Sequence, residues 1–554
     1  MEDYRKRFDE PVMQPDHQGS ICLFVWMAED RPMMILPPPF PRAKRALFAL
    51  GCALAWPTLQ SAQTSPPQRP VAPLLKKGET QLFVDSVMIR EKSGIARVVH
   101  PANKLEQLVL RAEMPWEWQE REGMIDKRVN IYGTVLRDEA TGAFQMWYAD
   151  AGHVLYATST DGVHWERPIL HIKGETNQTD LIVHSPSIIR DPFETDPQKR
   201  YKAVGSKSMG VDDAKLQRLK DKFELVDWYR DKTQRLYYAA HSADGLRWTI
   251  DPEPILLGCD TITLSQDPVT GEYLAFHKRQ GDPRVVGIRQ VFLSVSKDLK
   301  HWSEPHPVVV ADELDNQAAQ KLKGGTYSEF YNLSAFPYGG QWLGFATHFR
   351  RVEPPSALFG NDEVDGVKRS ATGIIDVQLV QSRDGRHWHR CSDRSPVIPL
   401  GPHPYDAGSI FGLCNAPVIV GDEMWIYYTA STTPHGGLVP EKEQSIARAA
   451  WRIDGLASLR AKETRGTIET HEFIPEGSNL HVNADVRNGR LLVEVLNAAG
   501  TAIENYEPES SVIENQDSVK LTVQWKHAAT LPTGMPIRLR FHLENGDLFS
   551  YRID

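Results

Sequence analysis

The chain has 554 residues, 41% apolar and 24% charged, with a formal net charge of −9. That composition is that of a soluble globular protein long enough for two to four domains. No basic block is present, which excludes nucleic acid as a principal partner, because phosphate binding needs clustered Lys and Arg.

In chain order, the first signal is for export. "PRAKR" (41–45) is a basic n-region, and "ALFALGCALAW" (46–56) is an apolar h-region too short to span a bilayer. "LQSAQT" (59–64) supplies a small-residue cleavage site. Residues 1–63 are therefore expected to be a leader and signal peptide. The protein would be exported, periplasmic or extracellular, and not membrane-bound after cleavage. A Pro-rich linker is expected over 64–78, and folded structure from "ETQLFVDSVMI" (79–89). Cys22 and Cys52 fall in the leader. Cys259, Cys391 and Cys414 form neither a disulfide framework nor a zinc pattern. No cofactor and no metal site is expected, and nothing in the sequence bears on oligomeric state.

From residue 130 onward a motif recurs: "STDGVHW" (159–165), "SADGLRW" (242–248), "SKDLKHW" (296–302) and "SRDGRHW" (382–388). Asp-Gly predicts a tight turn in which Asp caps backbone N–H groups and Gly takes φ > 0. Before each copy stands an aromatic strand pattern, as in "FQMWYAD" (144–150) or "EYLAF" (272–276). A degenerate fifth copy runs from "GDEMWIYYTA" (421–430) to "SIARAAWRIDG" (445–455). The motif aspartates are thus Asp161, Asp244, Asp298, Asp384 and Asp454. Four short strands per unit, repeated five times, predict an all-β fold: a five-bladed β-propeller over 79–463. The remainder, 464–554, alternates apolar and polar residues between Asn-Gly and Ala-Gly turns, which predicts a small antiparallel β-sandwich.

These features resemble the five-bladed glycoside hydrolases of families 32, 43 and 68, and the propeller-plus-sandwich layout is most similar to family 32. The resemblance covers roughly 79–554 and implies cleavage of a glycosidic bond in an oligo- or polysaccharide. The Asn-Asp-Pro-Asn and Glu-Cys signatures of family 32 are absent. An Arg-Asp-Pro at 190–192 is present, but Asp191 aligns internally with Asp138 and Asp267, which reads as a turn aspartate.

In a propeller, the ligand site lies where the innermost strands begin. Three carboxylates occupy such places: Asp260, Glu329 and Asp406. Glycoside cleavage uses one carboxyl as acid and one carboxylate as base or nucleophile. Glu329, in the apolar "YSEFYN", is the expected acid, and Asp260 the expected base or transition-state stabiliser. Each has a structural alternative as a turn cap. Blade one offers Asn130 or Tyr132 at the equivalent place, unless Glu117 or Asp126 folds in. Glu117, Trp116 and Trp118 are candidate sugar contacts. His277, Lys278, Arg284, His348 and His435, beyond the second strands, would bind hydroxyls or an acidic sugar. The rival reading is a non-catalytic carbohydrate- or protein-binding propeller. A phosphorylase would show Arg, Lys and His beside a single acid.

Overall fold

The computed structural model describes residues 73–554 apart from 122, 151, 209–234, 259, 281–288, 354–371 and 392. The leader and signal, residues 64–72 of the linker, Cys259 and Arg284 lie outside the described residues.

The repeated turn explains the architecture. In each of three copies the motif serine accepts from the backbone N–H three residues on: Gly162, Gly245 and Leu299 donate to Ser159, Ser242 and Ser296 at 2.8–2.9 Å. The motif aspartate takes two further N–H groups, as Asp384 does from Arg386 and His387, both at 2.8 Å. The residue after the aspartate is left-handed: Gly162, Gly245 and Gly385 have φ of 71°, 77° and 71°. Leu299 occupies the same region at 63°, where only glycine is free of a Cβ penalty. The carbonyl of this residue then serves the preceding blade of the ring. Trp147 Nε1 donates to Gly245 O, and Tyr427 OH to Gly162 O, each at 2.7 Å. The aromatic second strand of one blade and the turn of its neighbour are thus one joint.

Five groups of antiparallel strands follow in sequence, the fourth and fifth joined into one sheet by a parallel pairing of Ile375 with Ser409. Their inner strands are Asn130–Arg137, His184–Arg190, Ile262–Gln266, Gly325–Tyr338 and Ser409–Leu413. Each packs on the next and the last on the first, closing a ring. Hydroxyl-to-backbone bonds stitch every seam: Thr134 to Ile188 at 2.6 Å, Ser187 with Leu264 at 2.8 Å, Thr263 to Leu333, Ser334 to Leu413 at 3.3 Å, and Thr429 to Ile131 at 3.0 Å. A closed ring leaves no exposed inner edge. Stacked aromatics fill the space between blades, such as Phe345 on Trp451 and Phe144 on Trp425. The Arg-Asp-Pro aspartate behaves as a turn residue: Asp191 accepts from the Phe193 N–H at 2.9 Å, as Asp267 does from Val269 at 2.8 Å.

The C-terminal layer is built on the long bent strand Leu480–Asn497, which pairs with Val512–Thr522, Ile537–Glu544 and Gly546–Ile553. Ile537–Glu544 buries alternate residues, as its period-two pattern predicts. Its core includes Phe541, Tyr551 and Val493.

Strands differ from expectation at the N-terminal side. Thr80–Leu82, Ile89–Ser93 and Ala96–Val99, expected to open the propeller, pair with Gly546–Ile553, Gly466–Thr470 and Ala457–Ala461. Leu74–Leu75, in the expected linker, pairs with Ile474–Pro475. These strands lack an aromatic partner strand and a turn motif, so no blade can form from them, and they cover free edges of the C-terminal sheet instead. Asn103–Lys104 then pairs with Ala449 and Ala450 and becomes the outermost strand of blade five.

Candidate active site

Where the inner strands begin, all five blades contribute to one pocket of about 300 Å³. Blade one supplies Asn130 and Tyr132, blade two His184, and the approach to blade three Asp260. Blade four supplies Tyr331, and blade five Phe411, with Lys442 and Gln444 from its third strand and the loop before it. Arg128 and His435 complete the lining.

Among the described residues Asp260 is the one carboxylate in this lining. It pairs with the Lys278 ammonium and accepts from Tyr331 OH at 3.2 Å. Lys278 is fully buried and lies 3.5 Å from the centre of the Tyr331 ring, a cation–π contact. Carboxylate, ammonium and ring hold one another in place, with about a quarter of the Asp260 side chain left accessible.

Asn130 is 8% exposed, and among the described residues its Oδ1 has no hydrogen-bond partner. An amide oxygen there is open to accept from a hydroxyl. Tyr132, Tyr331 and Phe411 give the pocket aromatic walls, and the His435 ring lies 5.4–5.5 Å from those of Phe411 and Tyr331. Burial pushes the Tyr132 phenol well above its ordinary range, so it remains a neutral donor.

The positive groups differ in their partners. Arg128 grips Asp126 through both Nε and Nη2. Lys442 donates to the His435 carbonyl at 2.7 Å and sits 4.9 Å from the Phe411 ring centre. Among the described residues no carboxylate pairs with it. Desolvation, reinforced by the Arg128 charge and opposed by Asp126, brings its ammonium down to about 8.

Three expected site carboxylates lie elsewhere. Glu329 is not in the pocket lining. It is fully buried, accepts the Arg289 N–H at 3.1 Å, and bonds the Arg289 and Arg351 guanidiniums at 2.8 and 3.3 Å. The apolar surroundings expected from "YSEFYN" are replaced by two cations from other strands. Asp406 is fully buried, paired with Lys104 and hydrogen-bonded by Tyr428 at 2.9 Å. Lys104 also donates to Gly401 O at 2.7 Å, so this pair pins the blade-five outer strand to the loop before its inner strand. Glu117 is buried against Arg167, accepts from Tyr148 OH at 2.6 Å, and caps the Glu113 and Met114 N–H groups. Beside it, Trp118 donates to Ala112 O at 3.0 Å and Trp116 to Asn177 at 2.8 Å, so both tryptophans anchor a loop.

Two expected histidines also lie inside sheets. His277 is fully buried and bonds Ser294 at 3.2 Å, and burial holds it well below the ordinary imidazole range. His348 stacks on Phe330 and bonds Ser328 at 2.8 Å and Gln378 at 3.1 Å, with the same downward push from burial. The pocket thus unites Asp260, Asn130 and His435, with Lys278 directly behind Asp260. It excludes Glu329, Asp406, Glu117, Trp118, His277 and His348. His184, Tyr331 and Phe411 stand in inner-strand starts that the repeat locates. Arg128 and Lys442 lie in polar segments with no distinguishing pattern.

No known family model matches the chain, and no curated protein matches its sequence. Solved structures similar to it include an N-acetylgalactosamine deacetylase from F. plautii in complex with blood group B trisaccharide: 12% identity, TM-score 0.39, covering 66% of this chain and 97% of that one. The family 32 β-fructofuranosidase of Bombyx mori has 9% identity and TM-score 0.37 over 81% of this chain and 94% of that one. A fructofuranosidase from Schwanniomyces occidentalis complexed with fructosylnystose has 10% identity and TM-score 0.36, over 82% and 98%.

Proposed function

We propose that the protein is an exported enzyme that cleaves a glycosidic bond, with the sugar in the axial pocket and Asp260 facing the reacting carbon. The supporting observation is the convergence of five blades on one concave site that combines aromatic walls, amides and a single fixed carboxylate. Aromatic faces suit the C–H faces of a sugar ring, while Asn130, Gln444 and Asp260 suit its hydroxyls. During cleavage the bond from anomeric carbon to leaving oxygen breaks, that oxygen takes up a proton, and an incoming oxygen bonds the carbon. Asp260, fixed by Lys278 and Tyr331, is the group suited to stabilise positive charge on the carbon or to take the proton of attacking water.

Hydrolysis by two carboxylates needs a second acid. Asp126 stands outside the lining and is held by Arg128 much as Glu329 is held by Arg289 and Arg351, so among the described residues no second carboxyl joins Asp260 in the pocket lining. The single lining carboxylate favours, as a second reading, a glycan-binding propeller without catalysis. A panel of oligosaccharides tested for turnover and for binding with wild type and Asp260→Asn separates the two. Turnover lost in the variant with binding kept supports the enzyme. Binding by wild type without turnover of any member leaves the binding module.

A further inference from the structure

Among the described residues, the charges at the pocket do not balance: two carboxylates, Asp126 and Asp260, meet three cations, Arg128, Lys278 and Lys442. Arg128 is matched by Asp126 and Lys278 by Asp260, which leaves Lys442 in surplus. Lys442 is only 9% exposed. Its one hydrogen bond among the described residues goes to a neutral carbonyl, so two of its three N–H donors remain unspent. Burying an ammonium without a counter-ion is costly. A folded chain retains such a group where something outside the chain supplies the negative charge. Nearby, Arg128 keeps Nη1 free of its Asp126 clamp. The two cations come from separate segments, the approach to blade one and the blade-five loop.

We infer that the Lys442 side of the pocket is an oxyanion subsite, occupied together with the sugar. This rests on the glycoside reading of the same pocket. The oxyanion is either a free phosphate that takes the place of water or an acidic group carried by the sugar itself. In the first case a phosphate oxygen bonds the anomeric carbon as the glycosidic C–O bond breaks, and the proton of hydrogen phosphate ends on the leaving alcohol. In the second the anion only orients the substrate. Lys442 donates to the anion as a point charge, and Arg128 adds a directional N–H.

The test is isothermal titration of the full chain with inorganic phosphate, with a uronic-acid trisaccharide, and with its carboxyl-reduced neutral counterpart. Wild type is expected to bind at least one of the two anionic probes. Lys442→Met should weaken that binding tenfold or more, and Lys442→Arg should hold it within about threefold. Methionine removes an uncompensated buried charge, so the variant is expected to stay folded, and thermal melting checks this. Sugar phosphate released from a neutral oligosaccharide only when phosphate is present identifies the free anion. Preference for the acidic trisaccharide over its reduced form, without phosphate, identifies the substituent. The inference is overturned if neither anion binds, or if Lys442→Met binds as wild type does. Equal turnover of acidic and reduced trisaccharides, indifferent to phosphate, removes the subsite but keeps the glycosidase reading. Anion binding without turnover of any glycan keeps the subsite and removes that reading.

Discussion

The Lys278 ammonium lies 3.5 Å from the centre of the Tyr331 ring while it pairs with Asp260, and Tyr331 OH closes the triangle by donating to the same carboxylate at 3.2 Å. Asp260 therefore faces the pocket in one fixed orientation. Asp260→Asn is expected to lower kcat by at least about 100-fold on any glycan the protein turns over. Tyr331→Phe keeps the ring and loses one hydrogen bond, and should cost no more than about tenfold. Steady-state kinetics on the responsive glycan measures both, and an unchanged kcat for Asp260→Asn removes it from the chemistry.

Glu329 and Asp406 make the opposite prediction. Removing one member of a buried pair leaves the other charge uncompensated, at a cost of about 3–5 kcal/mol. Glu329→Gln strands Arg289, while Arg351 keeps its ion pair with Glu353, and Asp406→Asn strands Lys104. Both variants should unfold earlier in urea. The double variant Asp406→Leu/Lys104→Met should recover much of the loss, because it removes both charges together. A Glu329→Gln variant with wild-type stability and no turnover would restore Glu329 as a catalytic acid.

This contrast shows what the sequence reveals and what it hides. The blades are legible because turn and aromatic strand are local signals: Ser159, Asp161 and Gly162 bond within seven residues of chain. The start of each inner strand is legible by the same count, which brings Asp260 and Asn130 into view. Whether a carboxylate there faces the axis or a buried cation is decided by partners far along the chain. Arg289 stands 40 residues from Glu329, and Lys104 stands 302 from Asp406. In the sequence Asp260, Glu329 and Asp406 look alike. Lys442 sits in "PEKEQ", where every neighbour suggests a solvated loop.

Anion binding should depend on pH through Lys442, whose ammonium burial brings down to about 8. Below that value the charged form prevails and affinity is at its highest. As pH rises through it the charge is lost and affinity falls. A bound anion favours the proton, so binding near pH 8 should draw protons from solution, and the heat of binding should differ between buffers of different ionisation enthalpy. Among the described residues, Arg128, Asp126, Asp260, Lys278, Tyr132, Tyr331, His184 and His435 are the other charged or titratable groups at the pocket. Lys442→Met should abolish the step at pH 8 while leaving their contributions.

The turn motif also titrates. Partial burial pushes the Asp384 carboxyl up, but two backbone N–H groups and the His387 imidazole outweigh this and hold it well below the ordinary range. An acid with a lowered folded-state pKa adds stability above about pH 4, its unfolded value. That contribution fades as pH falls below it. Asp384→Ala is expected to cost about 1 kcal/mol at pH 7, after allowance for screening at this half-exposed site, and less at pH 3. Denaturant melts at the two pH values check the difference.

Asn103–Lys104 finishes blade five, and the strands just before it finish the sheet made by the last residues of the chain. Residues synthesised early must therefore wait for those synthesised last. Blade five cannot be completed until residues 449–450 have been made, nor the second sheet until residues 550–552 have, and loop closure across such separations is slow. A nascent or truncated chain ending before residue 452 would hold two unfinished sheet edges open at once, the state in which β-proteins stick to one another.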